Sequence, residues 1–227
     1  MTGLLLALVL NSAVVSITLG QTNPLVEPKK CCLDRQFSVS IGEIGGKAYP
    51  ITGNSVFLDG VTYLAYDFYK QMIGAESHMR QPDGSDKVTR TLLDYNTMRM
   101  YVDDSGVCSI LNITEPMEDP CVPANATYMG EVRFGYGTAS LEVNTWEFER
   151  ASGNSRILVR RSYTKTSCVP VIETYYGTVD GASTDVSHFF VNFKPGIDNP
   201  SDLVAPSAVA QSYCNDYTGQ KPVEIVG

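Results

Sequence analysis

Short segments of alternating apolar and polar residues, separated at regular intervals by turn-forming residues, constrain this chain more than any other feature. Phe37, Val39 and Ile41 alternate with Ser38, Ser40 and Gly42. Met98 and Met100 alternate with Arg99 and Tyr101, and Leu141 and Val143 with Glu142 and Asn144. Runs rich in β-branched and aromatic residues occupy 61–69 (VTYLAYDFY), 156–163 (RILVRRSY), 168–179 (CVPVIETYYGTV) and 186–193 (VSHFFVNF). Such side chains fit a pleated, half-buried surface, so these segments are expected to be strands. Turn signals divide them: Gly45-Gly46, Asp59-Gly60, Pro82-Asp83-Gly84, Asp104-Ser105-Gly106, Gly153-Asn154 and Asp180-Gly181. Asp59-Gly60, between 54–58 and 61–69, gives the sharpest hairpin expectation, because glycine there tolerates positive φ. About ten strands at this spacing predict an all-β antiparallel fold, a sandwich or a curved half-barrel. Helix is expected only as a short C-terminal segment near 200–213, opened by Pro200-Ser201-Asp202.

The first 20 residues (MTGLLLALVLNSAVVSITLG) hold no charged side chain and a dense apolar run from Leu4 to Leu10. Thr18 and Gly20 stand at −3 and −1 of a cut before Gln21, the pattern of a signal peptide. A spanning helix needs about 20 apolar residues, and Asn11, Ser12, Ser16 and Thr18 interrupt this stretch. Cleavage leaves 227 − 20 = 207 residues with the whole net charge of −8. The expected organisation is a signal peptide at 1–20, a flexible segment at 21–30, one β domain over 31–215 and a tail at 216–227. That predicts a secreted or lumenal protein that does not span a membrane. Its acidity argues against nucleic acid, whose non-specific binding needs clustered Lys and Arg.

All six cysteines lie beyond the signal peptide, and an even number in that compartment implies disulfides. A metal site is disfavoured, since no C-x-x-C occurs and both histidines are far from any cysteine. Asn112-Ile-Thr114 and Asn125-Ala-Thr127 are glycosylation sequons, which places Asn112 and Asn125 at the surface.

Catalytic signatures are missing: there is no G-x-S-x-G elbow, P-loop, H-E-x-x-H or complete EF-hand loop. His78 and His188, the only histidines, each fall in a strand segment. His188, beside Phe189-Phe190, reads as a strand side chain rather than a general base. Two acidic stretches are weak calcium candidates: Asp103-Asp104 with Ser105, and Glu115 with Glu118 and Asp119. Calcium takes six to eight oxygens, and neither stretch supplies them alone, so solvated turn carboxylates are the simpler reading. A curved sheet rich in aromatics can enclose an apolar cavity, or it can be filled by its own side chains. Pattern does not choose between these.

The stretch Cys168-Val-Pro-Val-Ile-Glu-Thr174 resembles the C-x-P-V-x-E-T signature of the ependymin-related proteins. Phe189-Phe190, Gly196-Ile197 and Asn199-Pro200-Ser201 follow it in the family's order. Upstream, Cys31-Cys32-Leu-Asp-Arg-Gln-Phe37 is similar to the family's opening cysteine with an aromatic six residues on. Cys108-Ser-Ile-Leu-Asn-Ile-Thr-Glu-Pro116, Asn125-Ala-Thr127 and Trp146 also fall in sequence, so the resemblance spans roughly 31–214. It implies a secreted, disulfide-bonded, non-enzymatic glycoprotein. The implied fold is one strongly curved antiparallel sheet, like that of bacterial lipoprotein carriers, around a deep apolar pocket, often as a homodimer. It also implies calcium binding, cell–matrix adhesion and lipid binding, with no required cofactor. For the cysteines, six of which allow fifteen pairings, the resemblance carries over Cys31–Cys168. Cys32 and Cys121 are both extra relative to the vertebrate pattern and are taken as a pair, with Cys108–Cys214 remaining; exchange of Cys31 and Cys32 is the alternative.

Two readings of function follow. One is a carrier or receptor that buries a hydrophobic small molecule or lipid, with Tyr63, Leu141, Val143, Ile172 and Phe190 as candidate pocket residues. The other is an extracellular-matrix or adhesive protein that uses an acidic, calcium-binding, glycosylated surface.

Overall fold

The computed structural model describes residues 26–152, 155–179, 181–205 and 211–216. The expected signal peptide, the tail beyond 216, the Gly153-Asn154 turn and 206–210 of the expected helix lie outside the described residues.

The alternating segments form strands of a single sheet. In chain order they are β1 (Gln36–Ala48), β2 (Ser55–Asp67), β3 (Met72–Arg80), β4 (Asp86–Asp94), β5 (Arg99–Asp104) and β6 (Val107–Asn112). After a crossing segment come β7 (Thr127–Tyr136), β8 (Ala139–Ser152), β9 (Ser155–Thr164), β10 (Pro170–Val179), β11 (Ala182–Pro195) and the two-residue β12 (Asn215–Asp216). The sheet order is β12-β6-β5-β4-β3-β2-β1-β11-β10-β9-β8-β7. Two antiparallel meanders, β1–β6 and β7–β11, therefore meet at the β1–β11 pair in the middle, and β12 joins β6 in parallel. The sheet is open, with β7 at one end.

Two glycine signals are not turns. β1 runs through Gly45-Gly46 and β2 runs through Asp59-Gly60, so the expected hairpin at 59–60 does not form. The turn falls earlier, at 49–54, where Gly53 has φ +71°. A Cβ on Gly60 would stand 2.3 Å from the carbonyl oxygen of His78, and one on Gly45 would stand 2.4 Å from that of Asp185. At both positions, glycine permits close strand approach in a strongly curled sheet.

Curling brings distant strands together on the inner face. Leu58 of β2 shares a buried cluster with Trp146 and Phe148 of β8, Val159 of β9 and Val186 of β11, and Met79 of β3 packs on it. A second cluster holds Phe37, Val39, Ile41, Leu64, Tyr66 and Ile73. The crossing segment between β6 and β7 covers both, placing Met117 on the second and Val122 and Ala126 on the first. On the outer face, a 3-10 turn at Pro200–Leu203 stands within the expected C-terminal helix. Asn199 caps it through its side-chain oxygen, and Leu203 packs on Ala65, Leu92 and Tyr101. Gly74 makes room, since a Cβ there would lie 2.1 Å from the Asp202 carbonyl oxygen.

Disulfides join Cys31 to Cys168, Cys32 to Cys121 and Cys108 to Cys214. The second fastens the crossing segment to the chain just before β1, and the third fastens the C-terminal residues to β6. Among the described residues, no helix is long and apolar enough to cross a membrane.

Candidate ligand site on the inner face

The inner face encloses a cavity of about 500 Å³ between the β1–β5 wall and the row of side chains that crosses from β1 to β9. That volume is in the range of small-molecule sites. Val56, Phe57, Arg80, Pro82 and Lys87 form its exposed mouth, while Ile41, Leu58, Thr91, Val102, Glu43, Glu173 and His188 are buried deeper in it. Thr62 and Ser77 share a hydrogen bond of 2.8 Å along its wall.

Strand register builds the deep end. His188 of β11 stands opposite Glu43 of β1 on one side and Glu173 of β10 on the other, and Glu173 stands opposite Arg161 of β9. All four side chains point inward and form one charged row between the two apolar clusters. His188 Nδ1 is 3.3 Å from Glu173 Oε1, and its Nε2 is 3.6 Å from Glu43 Oε2. The Arg161 guanidinium donates to Glu173 and lies 3.4 Å from the Tyr163 hydroxyl.

Such burial is costly unless the charges are paired. For His188, burial opposes the proton, but the hydrogen bond to Glu173 and the facing Glu43 carboxylate outweigh it and push the pKa up to about 9. For Glu173, burial likewise opposes the charge, yet Arg161 and His188 hold the carboxyl well below the usual range. Both nitrogens of His188 therefore carry protons at neutral pH, and the ring is an ion-pair member rather than a free base. One atom of the row stands apart. Glu43 is only 7% exposed, and its Oε1 has no hydrogen-bond partner among the described residues.

Of the candidate pocket residues, Phe190 lines the cavity. Tyr63, Leu141, Val143 and Ile172 do not, because each has the strand parity of the opposite face. Tyr63 and Leu141 are exposed on it, Ile172 is half-buried, and Val143 is buried with no place on the cavity wall. A one-residue offset in a strand exchanges the faces completely.

The two acidic stretches lie on separate elements, and Asp103, Asp104, Glu118 and Asp119 are already engaged. Asp103 accepts from the Gly106 N–H at 2.8 Å, and Asp104 pairs with Lys87 at 2.7 Å. Glu118 pairs with Arg150 at 3.2 Å and Asp119 with Arg35 at 3.3 Å, while Glu115 is exposed. Among the described residues, no group of three or more His, Cys, Asp or Glu side chains is placed to hold a metal. Asn112, at the end of β6, and Asn125, before β7, are both exposed.

The family model described as Ependymin matches residues 83–208, more than half of the chain. The chain is similar to "Ependymin-related protein 2" of Haliotis asinina, at 30% identity over 96 residues. That match takes in 41% of this chain and 47% of the relative, so it spans about half the relative's length. Among solved structures, an uncharacterized conserved protein from Thermus thermophilus is similar at 12% identity and a TM-score of 0.44. The similarity covers 78% of this chain and 88% of that one.

Proposed function

The chain belongs to the ependymin family, and on that premise we propose that it is a secreted, non-enzymatic glycoprotein that carries or presents a hydrophobic small molecule, such as a lipid. The observation that carries this reading is the inner-face cavity of about 500 Å³, part apolar and open at one end. Removing apolar ligand area from water there stabilises the complex by roughly 25 cal/mol per Å². Ile41, Leu58, Val102 and Phe190 supply apolar contact.

The reading is tested with a neutral solvatochromic dye such as Nile red. The protein is expected to bind it, and organic extracts of the purified protein are expected to contain lipid by mass spectrometry. Thr89→Trp, which fills the cavity from its wall, is expected to weaken dye binding about ten-fold or more with little change in melting temperature. A protein that takes up no dye after delipidation would sink the proposal.

The matrix reading would place calcium on the acidic surface. There a cation at Asp104, Glu118 or Asp119 competes with Lys87, Arg150 and Arg35. Calcium calorimetry separates the two readings: binding heat accompanied by a rise in melting temperature favours the matrix role.

A further inference from the structure

Holding an alkyl chain requires no charge at the deep end of a cavity, yet this cavity ends on Glu43, His188, Glu173 and Arg161. Glu43 is the group whose bonding is incomplete. Its Oε2 faces His188, while its Oε1 is buried on the cavity wall with no hydrogen-bond partner among the described residues. A buried acceptor left in this way costs the full desolvation penalty of the group.

The neighbouring strand explains why the oxygen is unpartnered. Glu43 is flanked by His188 on β11 and by Gly60 on β2. Close approach to His78 and Met79 keeps Gly60 without a side chain, and the thioether of Met79, which donates no hydrogen bond, stands in that place, so this side supplies Glu43 with no donor. The cations of the row are taken. Arg161 is held by Glu173, and His188 lies between the two carboxylates.

We infer that the ligand enters head-first and that its head group is a hydrogen-bond donor, a long-chain alcohol or amine, which Glu43 Oε1 accepts. This rests on the reading that the cavity holds an apolar ligand, and it adds the chemistry of the head. A free fatty acid is disfavoured in this pose, because its carboxylate brings a second acceptor and a like charge to Glu43. A fatty acid lying tail-first, with its carboxylate beside Arg80 at the mouth, is the opposite arrangement.

The two are distinguished by displacement of Nile red from the full-length protein with dodecanol, dodecylamine and dodecanoate, which share one chain length. The alcohol and the amine are expected to displace the dye at concentrations about ten-fold or more below that of the carboxylate. In Glu43→Gln, the amide keeps the size and can donate to a carboxylate, so the preference is expected to collapse. Dodecanoate binding as tightly as the others in the unaltered protein overturns the inference, and that result needs no variant. A preference that survives Glu43→Gln overturns it too, because Glu43 is then not the recognising group. If dye and chains bind but the heads are not ranked, only this inference fails. If nothing binds, the cavity reading fails with it.

Discussion

His188 stands between two carboxylates, and that placement sets a pH window for stability. Burial lowers the pKa of the imidazolium, but the hydrogen bond to Glu173 and the facing Glu43 carboxylate raise it to about 9, above the ordinary value of 6.5. A group raised on folding contributes its full stabilisation below its unfolded pKa and loses it as pH rises through its folded pKa. Stability is therefore expected to fall between about pH 6.5 and somewhat above pH 9, by on the order of 3 kcal/mol. His188→Gln should flatten that fall, which urea unfolding across the window measures; an unchanged slope in the variant contradicts the assignment. None of this was legible at the level of single residues. Glu43, Arg161, Glu173 and His188 are widely separated in the chain, and each reads alone as an ordinary strand or surface residue. Only register lines them up.

At the scale of the element, strands were legible and their edges were less so. Alternation placed β1 and β8, and β-branched and aromatic content placed β11, because successive side chains of a strand point to opposite faces and such residues fit its pleated surface. Gly45-Gly46 and Asp59-Gly60 misled because a glycine that admits a neighbouring strand has the same sequence signature as one that turns the chain. Here the two roles give opposite expectations. Gly60→Ala is expected to destabilise the protein by about 1–3 kcal/mol through its clash with the His78 carbonyl. A urea midpoint equal to that of the unaltered protein would show that β2 relaxes freely at this point. The face of each strand was also open in the sequence. Tyr63, Leu141, Val143 and Ile172 sit in the expected strands but have the parity of the face away from the cavity, while Phe190 lines it. In a strand with apolar residues on both faces, such as VTYLAYDFY, alternation has no polar reference from which to choose inside from outside.

For the whole molecule, the expected compartment and the architecture were read from properties summed over many residues: an apolar stretch at 1–20, six cysteines behind it and regular turn spacing. The site depends instead on which strands lie side by side, and no local pattern encodes β1 against β11. Cys31–Cys168 links residues 137 apart and so restricts the unfolded chain strongly. Replacing both cysteines by serine is expected to cost about 2–5 kcal/mol, read as a lower melting temperature under oxidising conditions. The meeting of the two meanders has one more consequence, for biogenesis. β1 is among the first strands to leave the ribosome and β11 among the last, yet they are partners at the centre of the sheet. Through most of translation, the early meander presents β1 as a bare edge with Phe37, Val39 and Ile41 on it, open to pairing with any passing strand. A strand paired on both edges in the finished sheet is thus an open edge in the nascent chain.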